Sequence, residues 1–365
     1  MWLIVFAVSI LSCIAGIVYL AAKIKNSGIL YKIEGRVISK ALALLMVLVI
    51  IAILCFVFDL TNTIVIVIHI AVFLLAGDLV SFIVRKFYPA YDHRITDAIM
   101  LLACLVLLII GWNLMHGMKE TDYVLTTDKK AGDLIIAHIA DSHIGAGFDA
   151  KGFANRLSVI EEKHPDILVL TGDFVDDGTT KEDMIASCKA LGAFKAKYGV
   201  YYCLGNHDRG YRDGGSRGFT GDELLDELRK CGVNVLLDES VLIDDRFYVI
   251  GRLDSGYGQS VRQPLSELIK DLDKSKYMIA LDHQPTDYEA EAATGVDLVL
   301  SGHTHGGQLF PLEYIQPLAS QNDNVRGHER INATDFIVTD GISDWAIMFR
   351  TGCASEYVMI NVKER

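Results

Sequence analysis

Leu134-Ile135-Ile136-Ala137-His138-Ile139-Ala140 is an apolar run that ends on Asp141-Ser142-His143. Its length and β-branched content predict a buried strand, and the polar residues after it predict a loop at the strand's carboxyl end. The arrangement recurs. Ile167–Thr171 runs into Gly172-Asp173-Phe174-Val175-Asp176, and Val200–Leu204 into Gly205-Asn206-His207-Asp208. Met278–Leu281 precedes Asp282-His283, and Leu298–Leu300 leads to Gly302-His303-Thr304-His305-Gly306-Gly307-Gln308. Helical stretches are expected near 153–163, 181–195 and 222–231, with Thr180 and Thr220 opening capping patterns for the last two. Strands alternating with helices predict a layered α/β fold. Further strands at Phe247–Gly251, Phe336–Thr339, Trp345–Phe349 and Tyr357–Val362 are expected to build a second sheet packed against the first, with Asp244-Asp245 as a hairpin turn.

Upstream, the composition changes. Just over half of the 365 residues are hydrophobic, and that excess sits before about Gly117. Met1–Ala22, Ala41–Phe58 and Ala98–Met118 carry no charge, and Leu60–Val84 carries only Asp78. Each is close to the roughly 20 apolar residues a span needs, so four transmembrane helices are expected over 1–117. Met1–Ala22 lacks the basic start of a signal peptide, which favours a retained helix. The eight Lys and Arg of this region all lie in 23–40 and 85–94. The positive-inside rule places those two loops in the cytoplasm of a multi-pass plasma-membrane protein, with both termini and the C-terminal domain extracytoplasmic. Asp78, His69 and His116 lie in or at the ends of spans, where a structural role is expected for each.

Residues 1–117 carry net +3, so the chain's −12 leaves −15 on 118–365. Such an acidic domain repels nucleic-acid backbones, and no nucleic-acid partner is expected. The seven cysteines show no CxxC spacing, which excludes a thiolate zinc site and suits buried thiols. The organisation expected is a membrane region at 1–117, a linker at 118–132 and a globular domain at 133–365.

Chemistry concentrates after the apolar runs, where α/β sheets form ligand sites. Five of the eleven histidines fall in the motifs above. Carboxylate and amide oxygens with imidazole nitrogens suit first-row divalent metals such as manganese, iron or zinc. A shared carboxylate can bridge two such ions, which clamp phosphoryl oxygens and lower the pKa of a water toward neutrality. Gly205-Asn206-His207-Asp208 and the glycine-flanked 302–308 motif are the specific signals, because glycines there permit close backbone approach.

The five blocks, in this order, resemble the calcineurin-like metallophosphoesterase superfamily, in the form of its bacterial membrane-associated phosphodiesterase branch, which includes relatives of UDP-diacylglucosamine pyrophosphatases. The resemblance implies a multi-span α-helical membrane region followed by an α/β metallophosphoesterase domain, two packed mixed β-sheets flanked by helices. It also implies two divalent metal ions. Asp141 and His143, with His305, would bind the first; Asn206, His283 and His303 the second; Asp173 would bridge them. His207 resembles the family's catalytic histidine, which stabilises the phosphoryl group or protonates the leaving oxygen, and Asp176 would orient it. Asp208 and Gln308 are expected to support the backbone, and His138 to be a core histidine. Arg209, Arg212 and Arg217 either steer a phosphate or sit in a solvated loop.

The function expected is therefore a membrane-anchored, metal-dependent phosphoesterase acting on a phosphodiester, phosphomonoester or pyrophosphate, with a lipid-linked or cell-envelope substrate to suit its anchor. Two other readings compete: a non-catalytic membrane sensor or scaffold that binds a ligand through a phosphoesterase-like domain, and a nucleotide phosphodiesterase with a passive anchor.

Overall fold

The computed structural model describes residues 2–27, 30, 36–210, 217–254 and 262–365. It forms a helical unit, Met1–Asn113 with Ala346–Thr351, and an α/β unit, Leu114–Trp345 with Gly352–Arg365.

Three helices, α1 (Trp2–Asn26), α2 (Arg36–Phe87) and α3 (His93–His116), are long and apolar enough to cross a membrane. A straight helix of the length of α2 would reach roughly 78 Å, more than twice the ~30 Å apolar core of a bilayer. It is broken instead at Asp59, whose φ of 77° and ψ of 175° are non-helical. The expected spans Ala41–Phe58 and Leu60–Val84 are thus two arms of one helical element, with no separate loop between them. The Asp59 carboxylate accepts the Asn62 N–H at 2.9 Å, capping the start of the second arm. Leu54 and Phe58 before the break and Ile66 and Ile70 after it line one apolar cavity with Leu105 and Leu108. Asp78 accepts hydrogen bonds from Tyr19 (2.7 Å) and Lys23 (2.5 Å), and Lys23 also reaches Asp97 at 2.6 Å. That network satisfies ionisable groups that an apolar solvent would otherwise penalise, and it ties α1, α2 and α3 together.

In the α/β unit, strands are numbered in chain order. One mixed sheet runs β1 (Lys119–Thr127), β12 (Glu356–Glu364), β2 (Leu134–Ile139), β3 (Ile167–Thr171), β4 (Val200–Cys203), β5 (Asn234–Val235). The other runs β10 (Gly327–Ile331), β11 (Thr334–Val338), β9 (Leu298–Ser301), β8 (Tyr277–Leu281), β7 (Phe247–Gly251), β6 (Glu239–Ile243). The facing sides of the two sheets make one core, in which Ile136, Val169, Val249, Ile279, Leu300 and Ile360 are buried. Each such side chain contributes about 1.5–3 kcal/mol of burial. Helices α4 (Ala150–Glu161), α5 (Lys181–Ala193) and α6 (Gly221–Lys230) cover the outer face of the first sheet through Phe153, Met184 and Leu224.

Local signals read from the sequence hold. The Thr180 side chain accepts the Asp183 N–H, and Thr220 with Glu223 forms a full capping box. Asp244 and Asp245 both have positive φ (54° and 55°) and open the turn, closed by the Arg246 N–H on the Ile243 carbonyl at 2.9 Å, that joins antiparallel β6 and β7 as the expected hairpin. Two expectations change. The segment taken as a linker, 118–132, contains β1, which pairs in parallel with β12 from Lys119 to Thr127. Trp345–Phe349 is not a strand: the Met348 N–H goes to the Asn62 side chain at 2.7 Å rather than to a neighbouring strand.

Candidate metal centre

The carboxyl ends of β2, β3, β4, β8 and β9 deliver the five motifs to one place. Asp141, His143 and His305 present ligand atoms within 4.8 Å of one another, and so do Asp173, His283 and His303. Asp173 Oδ2 lies between the groups, 3.1 Å from His283 Nε2 and 3.7 Å from His143 Nε2. Asn206 joins the second group, its Oδ1 3.1 Å from His283 Nε2. All the residues expected as metal ligands therefore meet.

The backbone is bent to achieve this. Asp141, His143, Asp173, His303 and His305 all have positive φ, between 38° and 70°, a region that costs a non-glycine residue roughly 1–3 kcal/mol. Glycines make room for the carboxylates. A β-carbon on Gly205 would lie 2.2 Å from Asp173 Oδ1, and one on Gly302 would lie 2.6 Å from Asp141 Oδ2. The buried Asp208 carboxylate holds the loops by accepting the N–H groups of Asp173 (2.9 Å), Phe174 (2.8 Å), Val175 (3.2 Å) and Gly205 (2.7 Å). This is the backbone support expected of it.

Hydrogen bonds on the far side of each ring choose the tautomer. His283 Nδ1 meets the Thr171 carbonyl at 2.7 Å, and His305 Nδ1 meets the Ser343 carbonyl at 3.2 Å. Their Nε2 atoms are left to face the centre. His143 Nε2 and His305 Nε2 lie 3.3 Å apart, close enough for one cation to take both as ligands. Burial, then the neighbouring His207, pushes His143 down to about 4. Burial, then His283, pushes His303 down to about 3. Both are neutral at physiological pH, the form that ligates metal. Burial opposes the charge of His283 too, but the Asp173 carboxylate outweighs it and holds a proton there well above the usual imidazole range. A cation would take that proton's place. Donor set, convergence and protonation all fit divalent metal ions.

His207 stands at the edge. Its Nδ1 lies 3.0 Å from Asp176 Oδ1, and its Nε2 lies 4.0 Å from Asp173 Oδ2. Burial pulls its pKa down, but Asp176 and Asp173 overcome this and the net shift is upward.

Other residues resolve differently. Arg217 is buried, and its guanidinium donates to the carbonyls of His207 (3.3 Å), Asp208 (2.6 Å) and Phe219 (3.3 Å). It braces the loop that carries His207 and is neither solvated nor aimed outward. Arg212 lies outside the described residues. His138 is a core histidine, buried and bonded to Thr171 Oγ1 at 2.8 Å. Gln308 donates to Asp344.

Ser343, Asp344 and Trp345 are not among the residues expected at the site. Asp344 Oδ1 lies 3.3 Å from His305 Nδ1, and the Trp345 ring packs 5.5 Å from that of His207. A signal existed: Gly341-Ile342-Ser343-Asp344 follows the apolar run Phe336–Thr339, repeating the pattern of the five motifs.

Residues 134–307 match the calcineurin-like phosphoesterase family. An uncharacterized metallophosphoesterase of Aquifex aeolicus is 33% identical over 257 residues, 68% of this chain and 93% of its own. One of Campylobacter jejuni is 32% identical over 251 residues, 67% of this chain but 63% of its own length. Phosphodiesterase YaeI of Escherichia coli is 27% identical over 233 residues, 62% of this chain and 81% of its own. The chain belongs to the calcineurin-like metallophosphoesterase family.

Proposed function

We propose that this chain is a membrane-anchored phosphoesterase that works with two divalent metal ions, manganese, iron or zinc. Asp141, His143 and His305 would hold one ion and Asn206, His283 and His303 the other, with Asp173 shared. Two donor groups joined at one carboxylate are the observation that carries this reading. Ions bound there would polarise a phosphoryl oxygen and acidify a water for attack at phosphorus. The chain's own work is orientation and proton handling. Thr171 and Ser343 set the ligand tautomers, Asp208 holds the loops, and Asp176 keeps the Nδ1 proton of His207. His207 then presents Nε2–H to the phosphoryl group or the departing oxygen.

The name of one relative, a phosphodiesterase, favours a diester. Four spans, two of them the arms of α2, favour a lipid-linked or cell-envelope substrate. With the basic loops in the cytoplasm, the site faces the extracytoplasmic side of the plasma membrane.

The test uses the full chain in detergent micelles, metal-stripped and then supplied with manganese, iron or zinc. Aryl phosphomonoesters, aryl phosphodiesters and a phospholipid in mixed micelles are the substrates. Metal-dependent turnover that disappears in Asp173→Ala is the expected result, with the lipid preferred. A folded protein that binds metal but turns over none of them would leave the sensor reading in its place. Preference for soluble diesters would remove the lipid.

A further inference from the structure

Within the α/β unit, His283 lies just past the end of β8. The parallel ladder of β7 and β8 closes at Gly251 and Leu281, and the Arg252 N–H adds a last bond to the Leu281 carbonyl at 3.0 Å. Continued in that register, Arg252 stands beside Asp282 and Asp254 beside Gln284, with His283 between the two pairs. The His283 carbonyl turns instead to the Gly302 N–H, at 3.0 Å. Side chains take over from the ladder at this point. Arg252 Nη1 donates to Asp282 Oδ2 at 2.7 Å, and Gln284 Nε2 donates to Asp254 Oδ1 at 2.7 Å. Both neighbours of His283 are thus gripped from the exit of β7.

A second arginine adds to the grip. Arg262 Nη1 reaches the two Asp282 oxygens at 2.9 and 3.0 Å, and its Nη2 reaches Asp287 at 2.7 Å. Asp238 fixes the backbone beside both arginines, accepting the Leu253 N–H at 2.8 Å and the Gln263 N–H at 2.7 Å. Asp282 and Arg252 are buried, and Arg252 also donates to Glu291 at 2.7 Å. Taking such charges out of water costs about what their pairing returns, so a buried ion cluster is a poor source of stability. What it supplies is position, because charge-assisted hydrogen bonds from two guanidinium groups fix where a carboxylate sits. The His283 ring is fixed separately, by Nδ1 on the Thr171 carbonyl.

We propose that Arg252, Asp254 and Arg262 are positioning residues for His283. They grip Asp282 and Gln284 on either side of it, so that Nε2 stays where the second ion would bind. The inference rests on the two-metal reading above. It assigns these residues no contact with the ion; they act through the backbone of 282–284. Groups that orient a metal ligand typically carry about 10- to 100-fold in metal affinity.

The bond between Gln284 and Asp254 can be broken and remade at constant size. Gln284→Glu sets two carboxylates against each other. Adding Asp254→Asn restores the bond with donor and acceptor exchanged, and restores the net charge. The experiment compares the full chain in detergent micelles as wild type, Gln284→Glu, the Gln284→Glu/Asp254→Asn double variant and Arg262→Met. It reads manganese titrations by electron paramagnetic resonance, which separates a spin-coupled pair of ions from an isolated one, and amide hydrogen exchange across 281–285 in metal-free protein. Gln284→Glu is expected to weaken the second manganese about 10- to 100-fold and leave the first unchanged, so that the isolated-ion spectrum replaces the coupled one. Exchange across 281–285 should accelerate. The loss would run against the added negative charge, which by itself favours a cation. Arg262→Met should weaken the same ion, and the double variant should recover both affinity and exchange. Unchanged second-ion affinity and exchange in Gln284→Glu would overturn the proposal, as would a double variant that recovers neither. Wild type that binds fewer than two manganese ions would instead defeat the two-metal reading. Exchange alone would then decide the grip: acceleration in Gln284→Glu that the double variant reverses keeps it, and no change ends it.

Discussion

The two units solve opposite solvent problems. In the helical unit Phe56 is 92% exposed and Leu102 62% exposed, while the ionisable groups Lys23, Asp78 and Asp97 are joined to one another. In the α/β unit Ile136 and Phe247 are fully buried, and the buried polar groups collect at strand ends. An apolar solvent gives no reward for hiding apolar side chains, so helix packing there relies on shape and on a few polar contacts. Water rewards a dry core, and that core supports a strained polar site. Buried polarity is therefore a fastening in one unit and gathers at the proposed metal centre in the other.

The largest expected effect tests the centre. Asp173→Ala removes the carboxylate shared by both groups and should lower turnover by on the order of 10³-fold or more, with metal content measured in parallel. Retention of both turnover and metal would mean that this buried polarity is structural after all. His207→Gln should lower kcat by about 10²- to 10³-fold while bound metal stays constant. A matching loss of metal would make His207 a ligand.

Apolar substitutions draw the contrast between units directly. Ile136→Ala, between the sheets, should cost about 2–5 kcal/mol by denaturant unfolding of the full chain. Phe56→Ala, facing lipid, should change stability by less than about 0.5 kcal/mol, despite removing more atoms. Comparable costs would show that Phe56 is packed against protein.

His138 sharpens the comparison through pH. Burial pushes its pKa down to about 3, below the roughly 6.5 of an unfolded histidine. The folded state therefore binds fewer protons, and this contribution to stability is complete above about pH 6.5. It is lost as pH falls toward 3, by at most about 1.4 kcal/mol per unit. Melting of wild type and His138→Gln at pH 7 and pH 5 should show a smaller acid penalty in the variant. Equal penalties would assign the acid sensitivity to other groups.

Much of this was legible in one dimension. Hydrophobic runs and their period located the apolar helices, β2, β3, β4, β8 and β9, and the helices between the early ones. Those signals are local, because the side chain reports the solvent on each face. The residues that meet at the candidate metal centre were legible as a group because strand-end loops confine polar side chains to short blocks, and because Gly205 and Gly302 mark where carboxylates press on the backbone. Three things depended on the tertiary structure. β1 is half exposed and reads as a linker until β12, more than two hundred residues later, supplies its hydrogen bonds. Trp345–Phe349 reads as a strand, yet its backbone is engaged by an asparagine from α2. Ser343, Asp344 and Trp345 reach His305 and His207 only once the chain has closed on itself. Local sequence encodes which groups prefer water, lipid or a dry core; long-range closure decides which of them meet, since a hydrogen-bond partner distant in the chain leaves no periodicity in either segment.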